Sequence, residues 1–187
     1  MRRFFLLISM GCSALLLSAQ SFTSKKEVLE DLRLANSYFM TKWPDPFTTI
    51  ITNKERAANI WTRGVYYEGL MALYAIDPQV QYYDYAVEWG EKHSWKPVHG
   101  DIYTRHADNQ NCAMTYIDLY RIDPKPERIE AIKTNIDAVI ASGKYDDWTW
   151  IDAIQMAMPI FVKLGVTFKD DKYFDYMYKM YHHAKYV

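Results

Sequence analysis

Two aspartates carry the strongest chemical signal in this sequence. Asp108 and Asp152 lie 44 residues apart, each opening an apolar-rich segment, 108–121 and 152–164. In a protein built of helical repeats, equivalent positions in neighbouring repeats come close together, because packed helices sit about 8–10 Å apart. Two carboxylates at such a separation, one protonated and one ionised, can share acid and base work on a sugar. Their surroundings suit that ligand: Tyr103, Arg105 and His106 precede Asp108, and Trp148 and Trp150 precede Asp152. A plainer reading stands beside this one. Aspartate is a favoured helix N-cap, worth about 1 kcal/mol, and two caps at repeat spacing need no catalysis. A helix N-terminus also favours the ionised carboxylate, whereas a general acid must hold its proton. Burial beside Trp150 and repulsion from Asp108 would have to outweigh the helix dipole.

The other reactive side chains offer less. His93, His99 and His106 are spaced by six and seven residues, which matches no helical metal-ligand pattern, so neither a metal nor another cofactor is expected. Cys112 sits among apolar neighbours and reads as core, and His182-His183 reads as surface on a terminal helix. No Gly-rich phosphate loop and no G-x-S-x-G elbow is present.

The elements that must position the two aspartates repeat along the chain. Ser24-Lys25-Lys26-Glu27 is a capping box and starts a helix running to about Lys42 on a stripe of Val28, Leu32, Ala35 and Phe39. Trp43-Pro44-Asp45-Pro46 stops it. An almost wholly apolar helix follows over 61–74. Asp77-Pro78 then reads as N-cap and first helical residue of the next helix, which reaches about Lys92. The same grammar recurs: 108–121 is apolar-rich and Asp123-Pro124 restarts the chain. Ile129, Ile132, Ile136, Val139 and Ile140 form an amphipathic stripe, and Gly143 ends it in the left-handed conformation. A third apolar helix over 152–164 is capped by Gly165, and Asp170 opens the last amphipathic helix. Asp77, Asp123 and Asp170 are 46 and 47 residues apart, and "YAIDP" at 74–78 returns as "YRIDP" at 120–124.

A fixed period in which an apolar helix precedes an amphipathic one predicts stacked helical hairpins, apolar members inside. Long loops before the apolar helices and tight turns after them favour a closed toroid with its loops gathered at one end. The fold class expected is therefore all-α, an (α/α)6 toroid, of which about seven helices make an incomplete half. Pro159 inside the third inner helix should kink it.

Composition narrows the function. The 187 residues carry 22 Lys+Arg against 23 Asp+Glu, a net charge of −1. That balance gives no electrostatic case for nucleic acid. Aromatic residues make up 16% of the chain, enough to fill a core or to stack on sugar rings. Residues 1–20 read as a signal peptide: Arg2 and Arg3, an apolar run over 4–17, then Ser18-Ala19-Gln20. The run is too short to span a bilayer. Cys12, after Gly11, is followed by further apolar residues, which argues against a lipoprotein. Export to the periplasm is the expectation, with no membrane association after cleavage, residues 21–187 forming the domain, and no intramolecular disulfide, since Cys112 stands alone outside the signal.

Three segments resemble a known group. "WTWIDAIQMAMPIFVKLG" (148–165), "RHADNQNCAMTYIDLY" (105–120) and "WTRGVYYEGLMALY" (61–74) resemble the unsaturated glucuronyl and rhamnogalacturonyl hydrolases, glycoside hydrolase families 88 and 105, with the first block closer to 105. The resemblance implies the N-terminal half of an (α/α)6 barrel. It also implies removal of a 4,5-unsaturated uronic acid from lyase-generated oligosaccharides, pectic rhamnogalacturonan ahead of glycosaminoglycan. Asp152 matches the acid that protonates C4 of the vinyl ether and assists water at C5, and Asp108 its acidic partner. Trp150 matches a pocket aromatic, with Asn109, Tyr67 and His106 as further substrate-binding residues; no metal or other cofactor takes part. Two other readings stay open: a non-catalytic helical-repeat binding module, and an inverting toroid glycosidase acting on saturated sugars. Because the family's second half supplies groups that hold the substrate, this polypeptide alone is expected to turn over poorly. A truncated gene, a paired chain or self-association of two halves would account for the remainder.

Overall fold

The computed structural model describes residues 23–186, so the expected signal peptide and its Cys12 lie outside the described residues. Helix α1 (Lys25–Lys42) begins on the capping box, with the Ser24 amide donating to Glu27 Oε2 at 2.7 Å and the Glu27 amide to Ser24 Oγ at 3.2 Å. A connection carrying a two-residue antiparallel ladder, β1 (Ile50–Ile51) and β2 (Glu55–Arg56), leads to α2 (Trp61–Ile76) and α3 (Val80–Lys92). Next come α4 (Ala107–Gln110) and α5 (Ala113–Ile122), then α6 (Glu130–Ala141), α7 (Ile151–Phe168) and α8 (Lys172–Tyr186). Asn111 and Cys112, between α4 and α5, keep right-handed helical angles, so the two behave as one inner helix with a tightened turn. Among the described residues this makes seven helical rods in a hairpin order, and strand structure is confined to β1 and β2.

The apolar helices form the inner layer, α2 against α5 and α5 against α7, with α3 and α8 packed outside α2 and α7. The arrangement is half of an all-α toroid. Close approach within it uses missing side chains. A Cβ at Gly64 would sit 1.9 Å from Asn111 Oδ1, and one at Gly90 would sit 2.1 Å from the Trp95 ring. α7 is long and apolar enough to cross a membrane by composition alone, yet its buried residues, Met156, Ile160, Phe161 and Leu164 among them, belong to the core. Pro159 lies within this helix, which runs unbroken from Ile151 to Phe168.

Several local expectations are corrected. Asp77 does not open α3; Gln79 is its N-cap. Asp77 instead closes α2, where its buried carboxylate takes both Nε and Nη2 of Arg33 at 2.8 and 2.7 Å. Asp123 likewise closes α5 and pairs with Arg128 at 3.2 Å. The "IDP" repeat is therefore a helix stop that anchors an arginine, and the next helix starts beyond it. Gly165 does not cap α7 either. The helix continues past it to Lys169, which takes the left-handed cap at φ 53°, while Gly165 makes room for the Phe174 ring. Gly143 does follow α6 in the left-handed conformation, at φ 67°. The stripe on α1 is largely exposed, with Val28 and Leu32 facing outward.

Candidate active site

The loops that precede α4 and α7 are held by specific polar contacts. Gln110 Nε2 donates to Thr104 O and Asn135 Oδ1, both at 3.1 Å, and Asn135 Nδ2 donates to Ile102 O and Thr104 O at 3.0 and 2.8 Å. These buried amides fix the segment entering α4, because a buried carbonyl without a donor would cost about 1–3 kcal/mol. Arg105 then joins that segment to the loop before α7. Its Nε and Nη2 donate to Asp147 at 2.9 and 2.5 Å, Nη2 also reaches Lys144 O at 2.9 Å, and Nη1 bonds Ser142 Oγ. Burial pushes the Asp147 carboxyl above its usual range even beside this guanidinium.

The staple brings two helix starts together. His106 is the N-cap of α4, its Nδ1 accepting the Asp108 amide at 3.3 Å. Trp150 is the N-cap of α7 and makes no side-chain cap bond. The His106 and Trp150 rings lie 5.2 Å apart. Asp108 and Asp152 thus occupy the second helical position of neighbouring inner helices, behind cap residues that touch. Neither aspartate is the cap that the plainer reading required. Asp152 is exposed and makes no hydrogen bond or ion pair among the described residues; Asp108 is half-buried, with Oδ1 3.8 Å from His106 Nδ1.

Three residues further along, each helix presents an amide on the same face. Asn111 Nδ2 and Gln155 Nε2 both donate to the carboxylate of Glu68 on α2, at 2.6 and 3.1 Å. Burial raises the Glu68 carboxyl above its ordinary value against the lowering effect of those two amides. Deeper still, Lys163 of α7 pairs with Asp118 of α5. Glu68, Met71, Met114, Asp118, Gln155 and Lys163 line a hollow of about 700 Å³ on the inner face. Asp152 stands one helical turn before Gln155 on the same side of α7, outside the residues that line the hollow.

The remaining expected site residues divide. Trp150, 40% exposed, stands against His106 at the start of α7, and Asn109 is half-buried, its Nδ2 spent on Thr104 Oγ1 at 3.2 Å. Tyr67 is a correction: it is 0% exposed and stacks on Trp89 at 3.9 Å, because α2 turns that residue into the core. Trp148 is also core, 3% exposed, its ring edge-on to Phe161 at 6.0 Å. Glu68, Asn111, Gln155 and the Asp118–Lys163 pair were missed. The available signal was a charge flanked by apolar residues inside each inner helix: Glu68 in 61–76, Asp118 in 113–122 and Lys163 in 151–168. Among the described residues no group of three His, Cys, Asp or Glu is placed to hold a metal ion.

The family model for glycosyl hydrolase family 88 matches residues 32–187. The chain belongs to glycosyl hydrolase family 88. It is one of the two families named from the motifs. Two solved structures share the fold with this family 88 chain. One is described as a polysaccharide lyase, with a TM-score of 0.76 and 23% identity over 87% of this chain. The other is a glycosyl hydrolase family 88 protein from Bacteroides vulgatus, with a TM-score of 0.74 and 24% identity over 85% of this chain. The chain spans 47% of the length of each. No curated protein matches it.

Proposed function

We propose that this family 88 chain carries the catalytic acid of a glycoside hydrolase that removes a 4,5-unsaturated uronic acid from lyase-generated oligosaccharides, with rhamnogalacturonan fragments as the substrate class. One observation carries the reading: Asp152 and Asp108 stand at the same step of adjacent inner helices, behind cap residues that touch, and the Asp152 side chain is committed to no structural contact. An acid in that place delivers its proton to C4 of the vinyl ether while the positive charge develops at C5. Water adds at C5, losing its proton to the carboxylate that the first step leaves. The hemiketal so formed opens at its C5–O5 bond to a C5 ketone, which leaves a hemiacetal at C1. That hemiacetal collapses to an aldehyde and expels the rest of the sugar as the free alcohol. Asp108 keeps negative charge beside the developing cation, and Trp150 with His106 offers a flat wall to the ring. Atoms balance with water alone.

The test is the ultraviolet absorbance of the conjugated double bond, followed with unsaturated rhamnogalacturonan disaccharide and with its saturated counterpart. Wild-type chain should bleach the first, at the low rate expected of this polypeptide alone, and leave the second uncleaved. Cleavage of the saturated sugar at an equal rate would move the function to ordinary glycoside hydrolysis. Export to the periplasm, read from residues 1–20, fits a protein that meets such fragments outside the cytoplasm.

A further inference from the structure

A second cavity, of about 590 Å³, opens between the β1–β2 connection, the end of α3 and the loop over 94–100. Its lining includes Phe47, Arg56, His93, Lys96 and His99, together with the acid Glu55, whose Oε1 accepts from Thr49 Oγ1 at 2.8 Å. It has no part in the chemistry assigned to Asp108 and Asp152, yet it lies at the same end of the molecule. Asn59, just ahead of α2, donates Nδ2 to Lys96 O at 3.2 Å, and the buried thiol of Cys112 lies 3.7 Å from both Lys96 O and Asn109 O. The backbone of the cavity wall is therefore one sulfur atom away from the backbone behind Asp108.

Three features of this cavity point to a ligand. The first is charge. Lys92 is neutralised by Asp45 and Glu88, but no ion pair engages Arg56 or Lys96 among the described residues. Arg56 uses Nε and Nη2 on Thr52 Oγ1 and Asn53 Oδ1, which leaves Nη1 for an incoming acceptor. The second is a flat wall: Phe47, exposed, stacks on His93 with ring centroids 5.1 Å apart. An exposed aromatic face beside cations suits a ring with one apolar side and an anionic substituent. The third is an unpaired group, since His93 Nε2 is buried without a hydrogen-bond partner, and such groups in native structures call for an explanation. The wall is also held in place at some conformational cost. Ser94, Trp95 and His99 all have positive φ, from 52° to 59°, a conformation that residues other than glycine adopt rarely. Trp95 packed on Gly90 fixes the turn.

We propose that this cavity is a second carbohydrate site, one that takes a pyranose bearing a carboxylate, its carboxylate on Arg56 and Lys96 and its ring on Phe47. The proposal concerns a saturated uronic acid, so it does not depend on the hydration reaction proposed for Asp152. The probe is digalacturonate, which lacks the double bond, set against lactose, a neutral disaccharide of the same ring count. With the Asp152→Asn chain, titration followed by imidazole NMR should show digalacturonate moving the His93 and His99 signals to saturation, with lactose having no effect. Arg56→Ala with Lys96→Ala should weaken that binding at least tenfold while the melting temperature holds. If the double variant unfolds, Lys96→Gln alone, an exposed position, should still weaken it. Equal response to both sugars, unchanged affinity in the variants, or shifts confined to His106 would overturn the proposal.

Discussion

Gln155 on α7 donates its amide to Glu68 on α2 at 3.1 Å, across 87 residues of sequence and one helical turn below Asp152. Asn111, one turn below Asp108, donates to the same carboxylate at 2.6 Å. A single half-buried acid thus ties together the two helices that carry the candidate catalytic pair. Glu68→Ala should leave the buried Asn111 amide without an acceptor, while the exposed Gln155 amide turns to water, and cost about 1–3 kcal/mol, read by urea denaturation. Glu68→Gln should cost less at neutral pH. Burial raises the Glu68 carboxyl, so its ionisation opposes folding, and stability falls as pH rises from the unfolded value through the folded one. The glutamine variant should lose that part of the pH dependence. Equal losses in both variants would contradict the role.

The Arg105–Asp147 pair makes a separate prediction about the loops. Arg105→Ala strands a carboxylate that is only 15% exposed, at a cost of about 2 kcal/mol. Asp147→Ala added to it should recover part of the loss, and a double-mutant cycle by thermal melting measures the coupling. Additive losses would mean that the contact does not join the loops.

The two aspartates should behave unlike caps. Asp152→Asn removes only an interaction with the helix dipole, worth about 0.3–1 kcal/mol, and Asp108→Asn removes that together with a 3.8 Å approach to His106. Ser24→Ala removes a capping-box bond seen in the structure and should cost about 1 kcal/mol. Denaturant midpoints for the three variants check the order. A loss above about 2 kcal/mol in Asp152→Asn would restore a structural role.

Trp148 and Trp150, two residues apart, should separate cleanly. Trp148→Ala empties a buried site and should cost about 3–5 kcal/mol. Trp150→Ala should change the melting temperature little and weaken substrate binding. Similar stability losses in both would contradict the placement.

His93 sets an acid limit. Burial, with the nearby Arg63 charge, lowers its pKa from 6.5 to about 4. The folded chain therefore keeps it neutral where the unfolded chain protonates it, so stability is full above the unfolded value and declines as pH falls from about 6.5 towards 4. His93→Phe should flatten the melting-temperature profile across that window relative to wild type. An unchanged slope would remove His93 as the source.

Period and amphipathicity made the architecture legible, because a stacked hairpin repeats its pattern of burial every 44–47 residues and the apolar helices stand out. Placement within an element was less legible. Asp77 reads equally as a cap or as a stop, and what decides it is Arg33, 44 positions earlier, which no local pattern announces. Gly165 and Gly143 look alike in sequence, but one gives way to Phe174 and the other turns left-handed. Tyr67 lies among aromatics on an almost wholly apolar helix, where nothing local says which face meets the core. Asp108 and Asp152 could be found because they recur at equivalent places. Glu68 recurs nowhere, and its partners come from two other helices.

The claim at the centre of this account is that Asp152 and Asp108 serve one reaction. The measurement is the rate of absorbance loss from unsaturated rhamnogalacturonan disaccharide with wild type, Asp152→Asn, Asp108→Asn and the double variant. Each single variant should fall by at least about 100-fold, the scale of a positioned acid or base, and the double variant should fall no further than the worse single one. A wild-type rate in Asp152→Asn would contradict it.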